Sequence, residues 1–155
     1  MQRPRTDRAE LRFPRATRAL TQVVLMAPHP VRQAVLAGAF KRAEAAFNRG
    51  DMDVVFAAFA PDVEYEPPPQ LPGARPLRGR PAVFGYWRGI FEEFEDNRIE
   101  NVEVVETGQG TIRRVARLHH RHRDGGQPLD YEILQTTELR GGLVVRQRNE
   151  ARRPG

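Results

Sequence analysis

Apolar positions in the first half of the chain follow a helical period. Leu36, Phe40, Ala43 and Phe47 recur at spacings of four, three and four, which lines one helix face. Asn48-Arg49-Gly50-Asp51 stops that run. Gly50 suits the left-handed position beyond a helix end, and Asp51 suits the cap of the next helix. A short second helix follows, with Val54, Val55, Ala58 and Phe59 inward, and Pro61-Asp62 ends it. Val63 to Glu66 predicts a strand. Pro67-Pro68-Pro69 through Pro76 predicts an irregular loop, because proline brings no N–H to a sheet ladder. Gly79-Arg80-Pro81 opens a third helix with Pro81 in its first turn. Its stripe is Val83, Trp87, Ile90 and Phe94, and Asp96-Asn97 ends it.

Beyond Asn97 the period drops to two. Ile99 to Glu106, with Val102, Val104 and Val105, predicts a strand, and Gly108-Gln109-Gly110 a turn. Thr111 to His122 predicts a long strand, and Asp124-Gly125-Gly126 is the strongest turn signal in the chain. Leu129, Tyr131, Ile133, Gln135, Thr137 and Leu139 share one face of the next strand. Arg140-Gly141-Gly142 predicts a tight hairpin into a last strand, with Leu143, Val145, Gln147 and Asn149 on one face. Three helices around one short strand, then a four-stranded meander, predict an α+β fold over residues 31–153. A curved antiparallel sheet wraps a pocket, and the helices close it. Gln135, Gln147 and Asn149 fall on apolar faces, and a buried amide needs a partner. A ligand or an ordered water in a cavity meets that need. Tyr131 shares the face and can line the cavity with its hydroxyl toward a ligand.

Composition narrows the classes. The chain has no cysteine, which excludes disulfides, thiolate nucleophiles and zinc–thiolate sites. No run approaches the ~20 apolar residues of a membrane span, so no membrane partner is expected. The net charge of +5 invites a nucleic-acid reading, but its distribution does not support one. Residues 1–26 carry six arginines against Asp7 and Glu10, and the rest of the chain is close to neutral. Among 25 basic residues only Lys41 is lysine, and no nucleic-acid partner is expected. Residues 1–30, rich in arginine and proline, are expected to be a disordered tail, or a segment never made because translation starts at Met26. Val23 to Met26 is too brief for a signal-peptide core, so the expected location is cytoplasmic.

The element order and its turn residues resemble the SnoaL-like branch of the nuclear transport factor 2-like superfamily. Four blocks carry the resemblance: Phe47 to Asp51, Phe59 to Pro67, Leu77 to Val83, and Glu138 to Arg146. The resemblance implies a cone-shaped half-barrel with three N-terminal helices around an apolar pocket, and a homodimer through the outer sheet face. The superfamily includes ketosteroid isomerases, limonene epoxide hydrolases, polyketide cyclases, scytalone dehydratases and non-catalytic binding domains, and fold alone does not choose among them.

Carried over residue by residue, Glu66 falls where ketosteroid isomerases hold their general base. Their phenol donor falls on Ala43 and their oxyanion-hole acid on Gln135. The C-terminal aspartate of the epoxide hydrolases falls on Asn149, and an amide is no base. A histidine–carboxylate pair recurs in the cyclases and dehydratases; here it joins His119 or His120 with Glu66 or Asp130. On a strand His120 and His122 share a face and His119 points the other way. Two imidazoles do not complete a metal site, and there is no glycine-rich phosphate loop, so neither metal nor cofactor is expected. The candidate catalytic residues are Glu66, His119 and His120. The candidate pocket residues are Tyr65, Tyr86, Tyr131, Gln135, Gln147 and Asn149. The expected function is binding of a small, mostly apolar metabolite. One alternative is an acid–base isomerase, polyketide cyclase, dehydratase or hydrolase using a Glu/His pair. The other is a non-catalytic dimerisation or interaction module.

Overall fold

The computed structural model describes residues 3–12, 14–108 and 110–153. Two short helices, α1 (Arg5–Arg12) and α2 (Pro14–Leu25), precede the long helix α3 (His29–Asn48), which Pro30 opens in its first turn. Leu36, Ala46 and Phe47 are its buried residues. Gly50 at φ 75° turns the chain, and Asp51 leads into the single turn of α4 (Met52–Val55). Strand β1 (Phe59–Glu66) and the two-residue β2 (Leu77–Arg78) follow, then α5 (Arg80–Glu93), which buries Val83, Trp87 and Ile90. The meander is β3 (Phe94–Gly108), β4 (Thr111–His122), β5 (Leu129–Arg140) and β6 (Leu143–Arg152).

Among the described residues the six strands form one curved, open sheet in the order β2-β1-β6-β5-β4-β3. Neighbours in the meander pair antiparallel, β1 pairs parallel with β6, and β2 pairs antiparallel with β1. The α+β class, the curved sheet and the helices before it are as expected. The inner face packs on α3 and α5 through Phe47, Trp87, Ile90, Phe94, Leu118 and Ile133. Phe47 meets the edges of Trp87 and Phe91 at 5.3 and 5.4 Å. Each such side chain taken from water contributes about 1.5–3 kcal/mol, so this layer fixes helices to sheet.

Several elements differ from the sequence pattern, each for a local reason. Leu77 and Arg78, between the proline loop and the third helix, form the short strand β2 by pairing with Tyr65 and Glu64. Phe94, expected on the third helical stripe, is already extended (φ −111°, ψ 146°) and starts β3 with its ring buried. On β6 the register slips by one between Glu138 and Leu139. That bulge puts Val144, not Val145, on the inner side with Gln147 and Asn149. The stretch expected as a tail carries α1 and α2. It docks by charge: Arg3 makes two bonds to the Asp51 carboxylate (2.8 and 2.9 Å) and one to Asp53 (2.7 Å), and Arg49 holds the buried Asp7 (2.5 Å). Burial pushes the Asp51 carboxyl up, but Arg3 outweighs it and holds it below the usual range. Polar docking of this kind leaves no hydrophobic period to read. α2 also crosses the β5–β6 hairpin, where a Cβ on Gly142 (φ 74°) would lie 2.5 Å from the Arg18 carbonyl oxygen. No described helix is long and apolar enough to cross a membrane.

Candidate functional site

Strand alternation decides which side chains enter the concave face. On β4 the inward set is Ile112, Arg114, Ala116, Leu118 and His120, all buried. In register on β5, Gln135 stands beside Arg114, Ile133 beside Ala116 and Tyr131 beside Leu118. Asn149 of β6 stands beside Gln135, and Tyr65 of β1 beside Gln147. The face is therefore apolar in its middle and polar toward both ends.

At one end His120 has no exposed surface. Its neighbour Asn97 arrives by a backbone irregularity. Asp96 sits at φ 54°, the register of β3 shifts between Glu95 and Arg98, and Arg98 clamps the Asp96 carboxylate at 2.7 Å. The result turns Asn97 inward. Its Nδ2 donates to the Phe94 carbonyl (3.0 Å), so its Oδ1 accepts from His120 Nδ1–H (2.6 Å). The bare Nε2 then accepts from the Tyr131 hydroxyl (2.9 Å). Burial pushes the imidazole pKa down to about 4, so it is neutral at physiological pH. Burial likewise raises the Tyr131 phenol, with Tyr65 and Tyr86 adding to the rise. Tyr86 is pushed up to about 12, mainly by burial, and its hydroxyl donates to the Pro72 carbonyl at 3.2 Å. Tyr65 accepts from the Trp87 indole N–H at 2.9 Å.

At the other end a one-way chain of donors crosses the sheet. Arg114 Nε donates to Gln135 Oε1 (2.6 Å), Gln135 Nε2 to Asn149 Oδ1 (2.8 Å), and Asn149 Nδ2 to the Glu66 carbonyl (2.7 Å). The guanidinium has no acceptor atom and the final carbonyl no donor, so both amides have their orientation fixed. Arg114 Nη1 also donates to Asn101 Oδ1, and the guanidinium lies 4.8 Å from the Phe40 ring centre. Burial depresses the guanidinium pKa to about 10.

The structure thus brings Tyr65, Tyr131, His120, Gln135 and Asn149 to one face, while the Tyr86 hydroxyl on α5 is held by the Pro72 carbonyl. Gln147 is buried on that face beside Thr137 but outside the amide chain. Glu66 and His119 stand elsewhere. Glu66 is exposed on the outer face, in a groove of about 220 Å³ with Glu64, Arg78, Arg146 and Arg148. His119 pairs outside with Asp130 (Nδ1 to Oδ1, 2.7 Å), with Asp96 at 3.7 Å from Nε2. Arg114 and Asn97 were missed by sequence reasoning. A signal for Arg114 existed: it is six residues from His120, an even spacing that puts both on one face. None existed for Asn97, which depends on the bulge at Asp96.

The family model for the SnoaL-like domain matches residues 40–147. No protein of curated function matches by sequence. Among solved structures, Bal32a from a soil-derived mobile gene cassette is 24% identical with TM-score 0.64, over 74% of this chain and 86% of that one. IdmH, a putative polyketide cyclase from Streptomyces antibioticus, is 20% identical with TM-score 0.59, over 74% and 90%. TerC, co-crystallised with polyporic acid, is 15% identical with TM-score 0.62, over 75% and 90%. Likeness at these identities carries the fold. The cone-like sheet, the helices packed on it and the family match place the chain in the SnoaL-like family of the nuclear transport factor 2-like superfamily.

Proposed function

We propose that this protein binds a small, mostly apolar molecule against the inner face of its sheet, at the end where Tyr131 meets His120. The carrying observation is the hydrogen bond of the Tyr131 hydroxyl to the neutral, enclosed imidazole. The proton of Tyr131 is committed to His120. Its oxygen therefore presents lone pairs, and the favoured ligand brings a hydroxyl donor on an apolar body. The acid–base alternative has less support. Glu66 and His120 occupy opposite faces, and an imidazole with a pKa of about 4 and both nitrogens engaged is a weak base. The test is titration with the methyl ester of hydroxynaphthoic acid. The ester binds the native protein, and Tyr131→Phe weakens binding about tenfold, the worth of one hydrogen bond to a buried group. Equal affinity in the two proteins counts against the site.

The partner for the outer face is a second copy of the chain. That face carries charge in stripes: acidic on β1 and β5 (Glu64, Glu132, Glu138), mainly basic on β4 and β6 (Arg117, Arg146, Arg148), with Glu150 interrupting β6. A two-fold axis along the β5–β6 seam sets each acidic strand opposite a basic one of the other copy, which is the self-complementarity an isologous contact needs.

A further inference from the structure

The first third of the chain gathers positive charge and exposed apolar surface in one place. Residues 1–48 hold nine basic side chains and three acidic ones, a net of +6, while the remaining residues carry a net of −1. Among the described residues eight large apolar side chains are exposed, and six of them lie here: Leu11, Leu20, Val23, Met26, Val31 and Val35. The orientation of α2 accounts for much of this. Its half-buried side chains Thr17, Thr21 and Val24 recur at four and three and form the side turned toward the protein. Ala16, Leu20 and Val23 recur at the same spacing, about 100° round the helix, and are exposed. Leu20 is 64% exposed and Val23 66%. A surface helix ordinarily turns its more apolar stripe inward; α2 turns it out. Arg8, Arg12, Arg15 and Arg18 are exposed along α1 and α2.

Three kinds of partner could cover such a surface, and charge separates them. A second copy brings the same excess of positive charge and is repelled. A nucleic acid offers phosphates but no aliphatic phase for Leu20 and Val23. An anionic lipid surface meets both demands, since its headgroups pair with guanidinium groups and its acyl boundary takes aliphatic side chains. We propose that α1 and α2 seat this protein on an anionic membrane surface, with Leu20, Val23 and Met26 at the acyl boundary and the arginines among the headgroups. Adsorption in the interface plane needs no spanning run, so it stands beside the absence of a described helix long and apolar enough to cross.

The experiment is co-sedimentation of the full chain with vesicles of phosphatidylcholine alone and with vesicles that also contain phosphatidylglycerol. The protein sediments with the anionic vesicles, stays in solution with the neutral ones, and is released as salt rises. Leu20→Ser with Val23→Ser weakens binding about tenfold or more, and Arg8→Gln with Arg15→Gln weakens it by about tenfold. All four side chains are exposed, so the fold survives these changes. Failure to sediment with the anionic vesicles overturns the proposal, and that comparison needs no variant. Binding unchanged by Leu20→Ser with Val23→Ser overturns the seating of α2. An oligonucleotide that binds the protein where neither vesicle does assigns the basic surface to nucleic acid instead.

Discussion

His120 is wholly enclosed, and each ring nitrogen has one partner, Asn97 or Tyr131. Its depressed pKa carries a stability consequence whose sign follows from proton counting. Between 6.5 and about 4 the unfolded chain holds a proton that the folded imidazole does not. In that window the unfolded state binds more protons, so this contribution is fully present above pH 6.5 and is lost as pH falls toward 4. The shift corresponds to about 3 kcal/mol. Urea unfolding of the native protein and His120→Gln at about pH 7 and about pH 4.5 measures it. The acid-induced loss is larger in the native protein by most of that amount, and an equal loss in both places the effect on other groups. At this scale the sequence was legible by parity. Tyr131 and Gln135 share a face by even spacing, and the structure has them inward. Arg114 obeys the same parity, but β4 also carries Arg113, Arg117 and Arg121, and composition gives no reason to bury one arginine rather than its neighbours.

Two bulges shape the elements around the site. The one at Asp96 supplies Asn97 to His120, and the slip between Glu138 and Leu139 brings Val144, Gln147 and Asn149 to one side. A period-two reading runs straight through such slips, so it misassigned Val145 while placing Asn149 correctly. The helices were legible where burial follows the stripe, as at Phe47 and Trp87. They were illegible in α1, whose docking is ionic. Arg3 holds Asp51 and Asp53, so Arg3→Ala loosens α1 and leaves the Asp7–Arg49 pair as its remaining ionic tie. Hydrogen exchange is expected to speed up through residues 5–12 and leave β4 and β5 protected. Unchanged exchange in α1 would show that Arg3 does not hold it.

For the whole molecule, the striped outer face makes a specific demand. Arg146 bonds Glu64 at 2.6 Å and Arg117 bonds Glu132 at 2.9 Å within one chain, so association competes with these internal pairs and is screened by salt. Sedimentation is expected to show a dimer at low ionic strength that weakens toward 1 M salt; a dimer indifferent to salt points to an apolar contact instead. The central claim concerns the other face, and the single tryptophan reports on it. Trp87 lies 3% exposed, and its indole N–H donates to Tyr65 on the inner face of the sheet. The most direct measurement is the indole N–H resonance of nitrogen-labelled protein during titration with the hydroxynaphthoic methyl ester. The account predicts a saturable shift of that resonance together with the Tyr131 amide. A probe that shifts only outer-strand amides such as Arg146 and Glu64, or leaves the indole signal unmoved at saturation, contradicts it.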